Sequence, residues 1–327
     1  MINFFKAFNP LNILWLAVLL FLLRVGYTVN APNNIPFAFT DFFTRLLMPS
    51  FQFQVSTQVN VFLAGIIVFA QAMLVNHLVN YFNLLGKPTF LPALMYITVS
   101  GLFTPFLVLS PPLICNFLVI WMVFKLFSFY KSTDAKSTVY DLGIIVAIGA
   151  IIYPSFVYLF FVIWIALIIF KPFNWREIMA GVIGYITVFF FLGVYYYLNN
   201  SLPQLYGAWL PLDTKFPESI NINYYNYIVL APVIIILVLC FFSLQQNFFK
   251  SYVQVRKSFQ LLFFIFLIGG FSFYTKAAFH LNHFLLCTVP VAVFFSYYFV
   301  YAKRKWFYET LFALLLIGIV YFQFNTF

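Results

Sequence analysis

Apolar runs near twenty residues long recur from Leu11 to the C-terminus, separated by short polar breaks. A helix rises about 1.5 Å per residue and the hydrocarbon core of a bilayer is about 30 Å thick, so such runs predict membrane-crossing helices. They fall near residues 11–28, 58–82, 90–109, 111–129, 177–199, 224–245, 259–275, 279–301 and 308–325. Strands of a transmembrane barrel would alternate apolar with polar residues, and these runs are continuous. The expected fold is all-α, a polytopic transmembrane helical bundle.

The stretch from Tyr140 to Phe170, YDLGIIVAIGAIIYPSFVYLFFVIWIALIIF, has 31 residues. As one helix it would reach about 46 Å, longer than a span needs. The pyrrolidine ring of Pro154 breaks helical hydrogen bonding, so a fold-back at Tyr153-Pro154 into two short helices is the alternative. Charge chooses between them. With the N-terminus inside, the hairpin leaves 13 of the 17 Lys and Arg residues cytoplasmic, and a single span leaves 7. The positive-inside bias favours the hairpin and a total of about 11 membrane helices.

This orientation leaves the C-terminus outside and gives two sizeable outer loops, near residues 29–57 and 200–223. With no repeat, linker or low-complexity tract, residues 1–327 read as a single membrane domain. The run after Lys6 resembles a signal sequence, but Arg24 interrupts it and a retained first helix is expected.

Composition narrows the function classes. The chain is 65% apolar and 7% charged, which excludes an ordinary soluble enzyme, a coiled coil and a disordered chain. Its net charge of +10 comes from residues scattered between spans, so no nucleic-acid partner is expected. Cys115, Cys240 and Cys287 stand alone in apolar stretches and read as lipid-facing or packing residues. The 49 Phe and 22 Tyr fit helix packing and interfacial belts better than a carotenoid or quinone pocket, and no cofactor is expected. Zincin, serine-hydrolase, P-loop and dinucleotide-binding signatures do not occur.

Charged groups at membrane depth are costly and mark candidate sites. Arg24 lies near the end of the first span, Asp41 and Arg45 sit four apart in the first outer loop, and Lys276, His280 and His283 surround the start of a late span. All six fall on the same expected side. Cations around one carboxylate suit an anionic headgroup with Asp41 as general base. Equally physical is an Asp41–Arg45 pair on an interfacial helix, with Arg24 snorkelling to headgroups. The i, i+3 spacing of the two histidines alone does not make a metal site. On the other side, Ser132, Thr133, Asp134 and Asp141 are candidate helix caps, and KPFNWREI from Lys171 is an interfacial anchor.

MINFFKAFNPLNILW, the hairpin segment and KPFNWREIMAGVIGY together resemble an uncharacterised family of Bacteroidota integral membrane proteins. The organisation is more distantly similar to GT-C polyprenyl-phosphate-dependent glycosyltransferases. That resemblance implies Asp41 as the catalytic carboxylate, with Arg24, Arg45 or Lys276 on the carrier phosphate. It departs from the GT-C pattern in having a lone acid in the first outer loop and no large periplasmic domain.

Two functions follow as expectations. One is a bacterial inner-membrane enzyme handling a polyprenyl-phosphate carrier at the outer face, with membrane lipid around it. The other is a non-catalytic membrane subunit of a secretion, motility or insertion complex, partnered by other envelope membrane proteins. A transporter is third, since spans broken at Pro105, Pro154 and Pro290 would expose backbone to a substrate.

Overall fold

The computed structural model describes residues 1–29, 56–131, 135–203, 224–247, 252–275 and 281–324. Twelve α-helices follow in chain order: α1 (Ile2–Lys6), α2 (Leu11–Val29), α3 (Thr57–Tyr81), α4 (Leu91–Val99), α5 (Pro111–Ser128), α6 (Lys136–Ile152), α7 (Phe160–Phe170), α8 (Trp175–Leu198), α9 (Tyr224–Asn247), α10 (Val253–Phe271), α11 (Thr288–Tyr301) and α12 (Lys305–Phe324). No strand occurs among the described residues. Seven described helical segments are long and apolar enough to cross a membrane, so this is a multi-pass membrane protein.

The hairpin forms. Helix α6 ends at Tyr153, whose extended backbone (φ −143°, ψ 107°) is what a following proline favours, and a 3₁₀ segment over Pro154–Leu159 leads back into α7. Phe156 of that segment packs into space left by Gly149, where a Cβ would overlap its ring. Two other passes are also broken. The pass after Lys87 is α4, an irregular stretch and a 3₁₀ turn over Thr104–Leu107, in place of one helix over 90–109. The pass before Tyr301 starts with a 3₁₀ segment over Leu281–Cys287. Pro290 lies in the first turn of α11, where a proline needs no hydrogen-bond partner, so it breaks nothing.

Because the hairpin reverses direction, every described Lys and Arg except Arg24 lies toward one end of the bundle, called here the basic end. Pairings between connections fix that end. Lys125 Nζ is 2.6 Å from Asp141, Lys171 is 3.6 Å from Glu177, and the amino terminus is 3.0 Å from Glu309. Asp141 therefore serves as an ion-pair partner; the N-cap of α6 is Ala135, which makes no side-chain cap bond. Ser132, Thr133 and Asp134 lie outside the described residues. At the anchor, Asn174 caps α8 by accepting from Arg176 N, and exposed Trp175 carries the Arg176 guanidinium 5.9 Å from its ring. Burial, with Lys87 adding to it, pushes the Lys6 ammonium below its usual range, and Glu309 opposes this.

Helices α3, α4, α5 and α11 occupy the centre, and one contiguous apolar core runs through them. All three cysteines are buried, which makes them packing residues and removes the lipid-facing alternative. Helix α8 is peripheral and holds to α6 through glycines. A Cβ at Gly143 would overlap the Gly181 carbonyl, and one at Gly184 would overlap the Tyr140 carbonyl. Without side chains in the seam the two backbones approach closely, the usual basis of helix association in lipid.

Candidate functional site

The three broken passes meet at the end opposite the basic one, and proline chemistry explains why the breaks fall there. Pro105 opens the 3₁₀ turn, Pro111 and Pro112 open α5 after an extended Ser110 (φ −143°, ψ 155°), and Pro154 opens the return arm of the hairpin. Irregular backbone at membrane depth must be bonded by protein, since lipid offers no hydrogen bonds. The polar side chains of this end do that work.

Arg24 is 6% exposed, so it does not snorkel. Its Nη1 donates to the carbonyls of Val61 (3.0 Å) and Leu107 (2.9 Å), tying α2 to α3 and to the 3₁₀ turn. Gly65 lies beside its stem. Beside it, Gln323 of α12 donates to the Leu23 carbonyl, and Asn60 Oδ1 accepts from Leu109 N at 2.8 Å. The described bonds of Arg24 leave Nε and Nη2 unused. The three described carboxylates, Asp141, Glu177 and Glu309, are all at the far, basic end. Among the described residues, then, this buried cation has no counter-charge.

His283 is 3% exposed and bonded through both ring nitrogens. Nε2 lies 2.8 Å from the Gly269 carbonyl, which can only accept, so Nε2 carries the proton. Nδ1 then accepts from the Tyr153 hydroxyl at 2.8 Å. Ser272 Oγ, 3.1 Å from Nε2, donates to the same Gly269 carbonyl at 2.9 Å. One imidazole thus locks the end of α10 to the hairpin turn and to its own 3₁₀ segment.

Deeper in the bundle lies a polar ladder that a search for charged residues misses. Tyr96 donates to Gln71 Oε1 (2.8 Å), Gln71 Nε2 donates to the Leu113 carbonyl (2.6 Å), Asn116 Nδ2 donates to Thr288 Oγ1 (3.1 Å), and Thr288 donates to the Leu285 carbonyl (2.7 Å). Asn116 Oδ1, Asn60 Nδ2 and Ser110 Oγ are buried without a partner. The sequence signal for this ladder is a lone amide inside an apolar run, at Gln71 and Asn116.

The structure therefore brings Arg24 and His283 to one end, linked through the Thr104–Leu107 turn that packs on the 281–287 segment. Asp41, Arg45, Lys276 and His280 lie outside the described residues. Among the described residues no three His, Cys, Asp or Glu side chains gather as metal ligands would. What the arrangement offers chemically is an oriented guanidinium with free donors, set in bonded, irregular backbone. Neither a curated protein nor a solved structure matches the chain. Residues 33–327 match DUF6427, a family of unknown function, and the protein belongs to that family.

Proposed function

We propose that the protein is a bacterial inner-membrane protein, N-terminus in the cytoplasm, that engages a lipid-linked phosphate carrier at its outer face in a glycosyl transfer of GT-C type. The observation that supports this is Arg24. A buried guanidinium is expensive unless an anion faces it, and no described residue supplies one. A phosphate accepts the two-pronged donation that Nε and Nη2 provide. In this reading Arg45, Lys276 and His280 add positive potential from the outer loops, Asp41 is the general base, and His283 holds the broken passes in register.

The positive-inside rule supports the orientation, since it assigns the basic end to the cytoplasm and the Arg24 end to the outside. Native mass spectrometry of the protein purified in mild detergent tests the reading. Wild type should retain a polyprenyl-phosphate species, Arg24→Gln should lower its retention about tenfold, in line with loss of a charged hydrogen bond, and Asp41→Asn should keep the carrier. A stoichiometric protein partner with no carrier would instead establish the subunit of an envelope assembly, for which the exposed aromatic face of α8 is the candidate contact.

A further inference from the structure

Arg24 and Asn60 grip one edge of the same extended residue. Val108 has φ −98° and ψ 149°, and in extended backbone the carbonyl of the residue before and the N–H of the residue after point the same way. Those two groups are the Leu107 carbonyl, bonded by Arg24 Nη1 at 2.9 Å, and the Leu109 N–H, bonded by Asn60 Oδ1 at 2.8 Å. Arg24 Nη1 also donates to the carbonyl of Val61, the residue after Asn60, at 3.0 Å. Two separate contacts thus set the guanidinium and the amide side by side.

The orientation of that amide is fixed. The Leu109 N–H can only donate, so the atom facing it is the oxygen, and Nδ2 is the other end of the group. Asn60 is 1% exposed, and its Nδ2 is buried with no partner. A buried donor without an acceptor is costly, so its place marks where an acceptor belongs. Asn60 also stands in the first turn of α3, where the positive end of the helix favours an anion.

We infer that Asn60 is a binding residue of the Arg24 site, its Nδ2 donating to the phosphate that the guanidinium meets, and that the site takes a singly charged phosphodiester in preference to a diphosphate. This rests on the reading of Arg24 as a lipid-phosphate site. The preference follows from the charges. One guanidinium and a neutral donor balance one negative charge. The further charge of a diphosphate would be left unbalanced where Arg24 is buried away from water. A glycosylated carrier phosphate and phosphatidylglycerol share the phosphodiester chemistry.

The full-length protein in mild detergent, offered equal amounts of a glycosylated polyprenyl phosphate, a polyprenyl diphosphate and phosphatidylglycerol, is read by native mass spectrometry. Wild type should retain the glycosylated carrier about tenfold over the diphosphate. Asn60→Asp still accepts from Leu109 N, but lays a carboxylate beside Arg24 where Nδ2 donated. Its retention should fall about tenfold or more. Its midpoint of thermal unfolding should hold or rise, because the chain then supplies its own counter-charge. Unchanged retention in Asn60→Asp, with Arg24→Gln still lowering it, overturns the role of Asn60 and leaves the carrier reading standing. Lost retention with a lowered midpoint makes Asn60 a structural tie only and overturns it too. A wild-type preference for the diphosphate overturns the inference whether or not any variant folds. Phosphatidylglycerol retained in place of the carrier, and lost in Asn60→Asp, supports the site and overturns the carrier reading.

Discussion

Two stretches of nearly equal hydropathy have opposite fates. The pass from Leu281 to Tyr301 buries 89% of its membrane-crossing stretch, and α8 buries 11%. In water such a contrast would be written in the apolar pattern, because the face turned outward would be polar. In lipid the outward face is as apolar as the core, so hydropathy carries no information about which helix is central. What separates the two is polar and small residues. The buried pass contains His283, Thr288 and Ser296, each bonded within the bundle. Helix α8 offers its seam glycines on one side and large side chains such as Phe190, Phe191 and Tyr197 on the rest.

The comparison breaks most sharply at the seam. Gly184→Leu places carbon where the Tyr140 carbonyl stands, and backbone cannot move aside as a side chain can. Overpacking of this kind costs roughly 3 kcal/mol or more, and α8 should separate from α6 while the centre stays folded. Hydrogen exchange in nanodiscs should show α8 and the α6 amides losing protection, with α3 and α11 unchanged. Gly193→Leu, on the same helix with nothing near its Cβ, is the control and should be silent.

A second pair of substitutions sharpens the contrast by size alone. Phe295 of α11 is fully buried, and Phe191 of α8 is exposed. In a soluble protein Phe→Ala in a core costs about 3–5 kcal/mol, transfer and cavity together. Unfolded helices here remain in lipid, so the transfer part largely drops out and about 2 kcal/mol of cavity cost is expected for Phe295→Ala. Phe191→Ala should change stability by less than about 0.5 kcal/mol. Denaturant titration in mixed micelles measures both; equal effects would mean that α8 is packed against protein.

The same physics sets how far the sequence could be read. The hairpin at Tyr153-Pro154 was legible because a proline and the distribution of cations point to one solution. The break between Gly101 and Ser110 was legible only in part: Pro105 marks where the span is interrupted, but the surrounding residues are as apolar as a helix and do not show that the Leu107 carbonyl turns to Arg24. For the same reason Arg24 read as able to snorkel: its depth is decided by acceptors 37 and 83 positions away. The ladder of Gln71, Tyr96, Asn116 and Thr288 stayed hidden because one amide barely alters the hydropathy of a run. The histidine spacing gave no sign of the partners of His283, Tyr153 and Gly269, which come from other passes.

The polar lock on the buried pass should be weaker than its burial suggests. Tyr153→Phe removes the hydroxyl that His283 Nδ1 accepts from and keeps the ring in place. Hydrogen bonds between membrane helices average about 0.6 kcal/mol, because the separated helices find other partners in the membrane. A loss of that order is expected for Tyr153→Phe, and a comparable one for Ser272→Ala. Their effects should not add, since both hydroxyls act on the same imidazole. A double-mutant cycle showing full additivity would mean that the two hydroxyls do not meet at His283.

The smallest effect belongs to the basic end, where water returns. Lys125 and Asp141 lie 2.6 Å apart with side chains 27% and 40% exposed, so solvent and salt screen the pair. Asp141→Asn should cost about 0.5 kcal/mol or less at low salt and nothing measurable near 1 M. A loss that persists at high salt would place the pair inside the bundle's dry region and move the membrane boundary toward the ends of α5 and α6. If the effect fades as expected, α5 and α6 are joined at this end by packing rather than by charge.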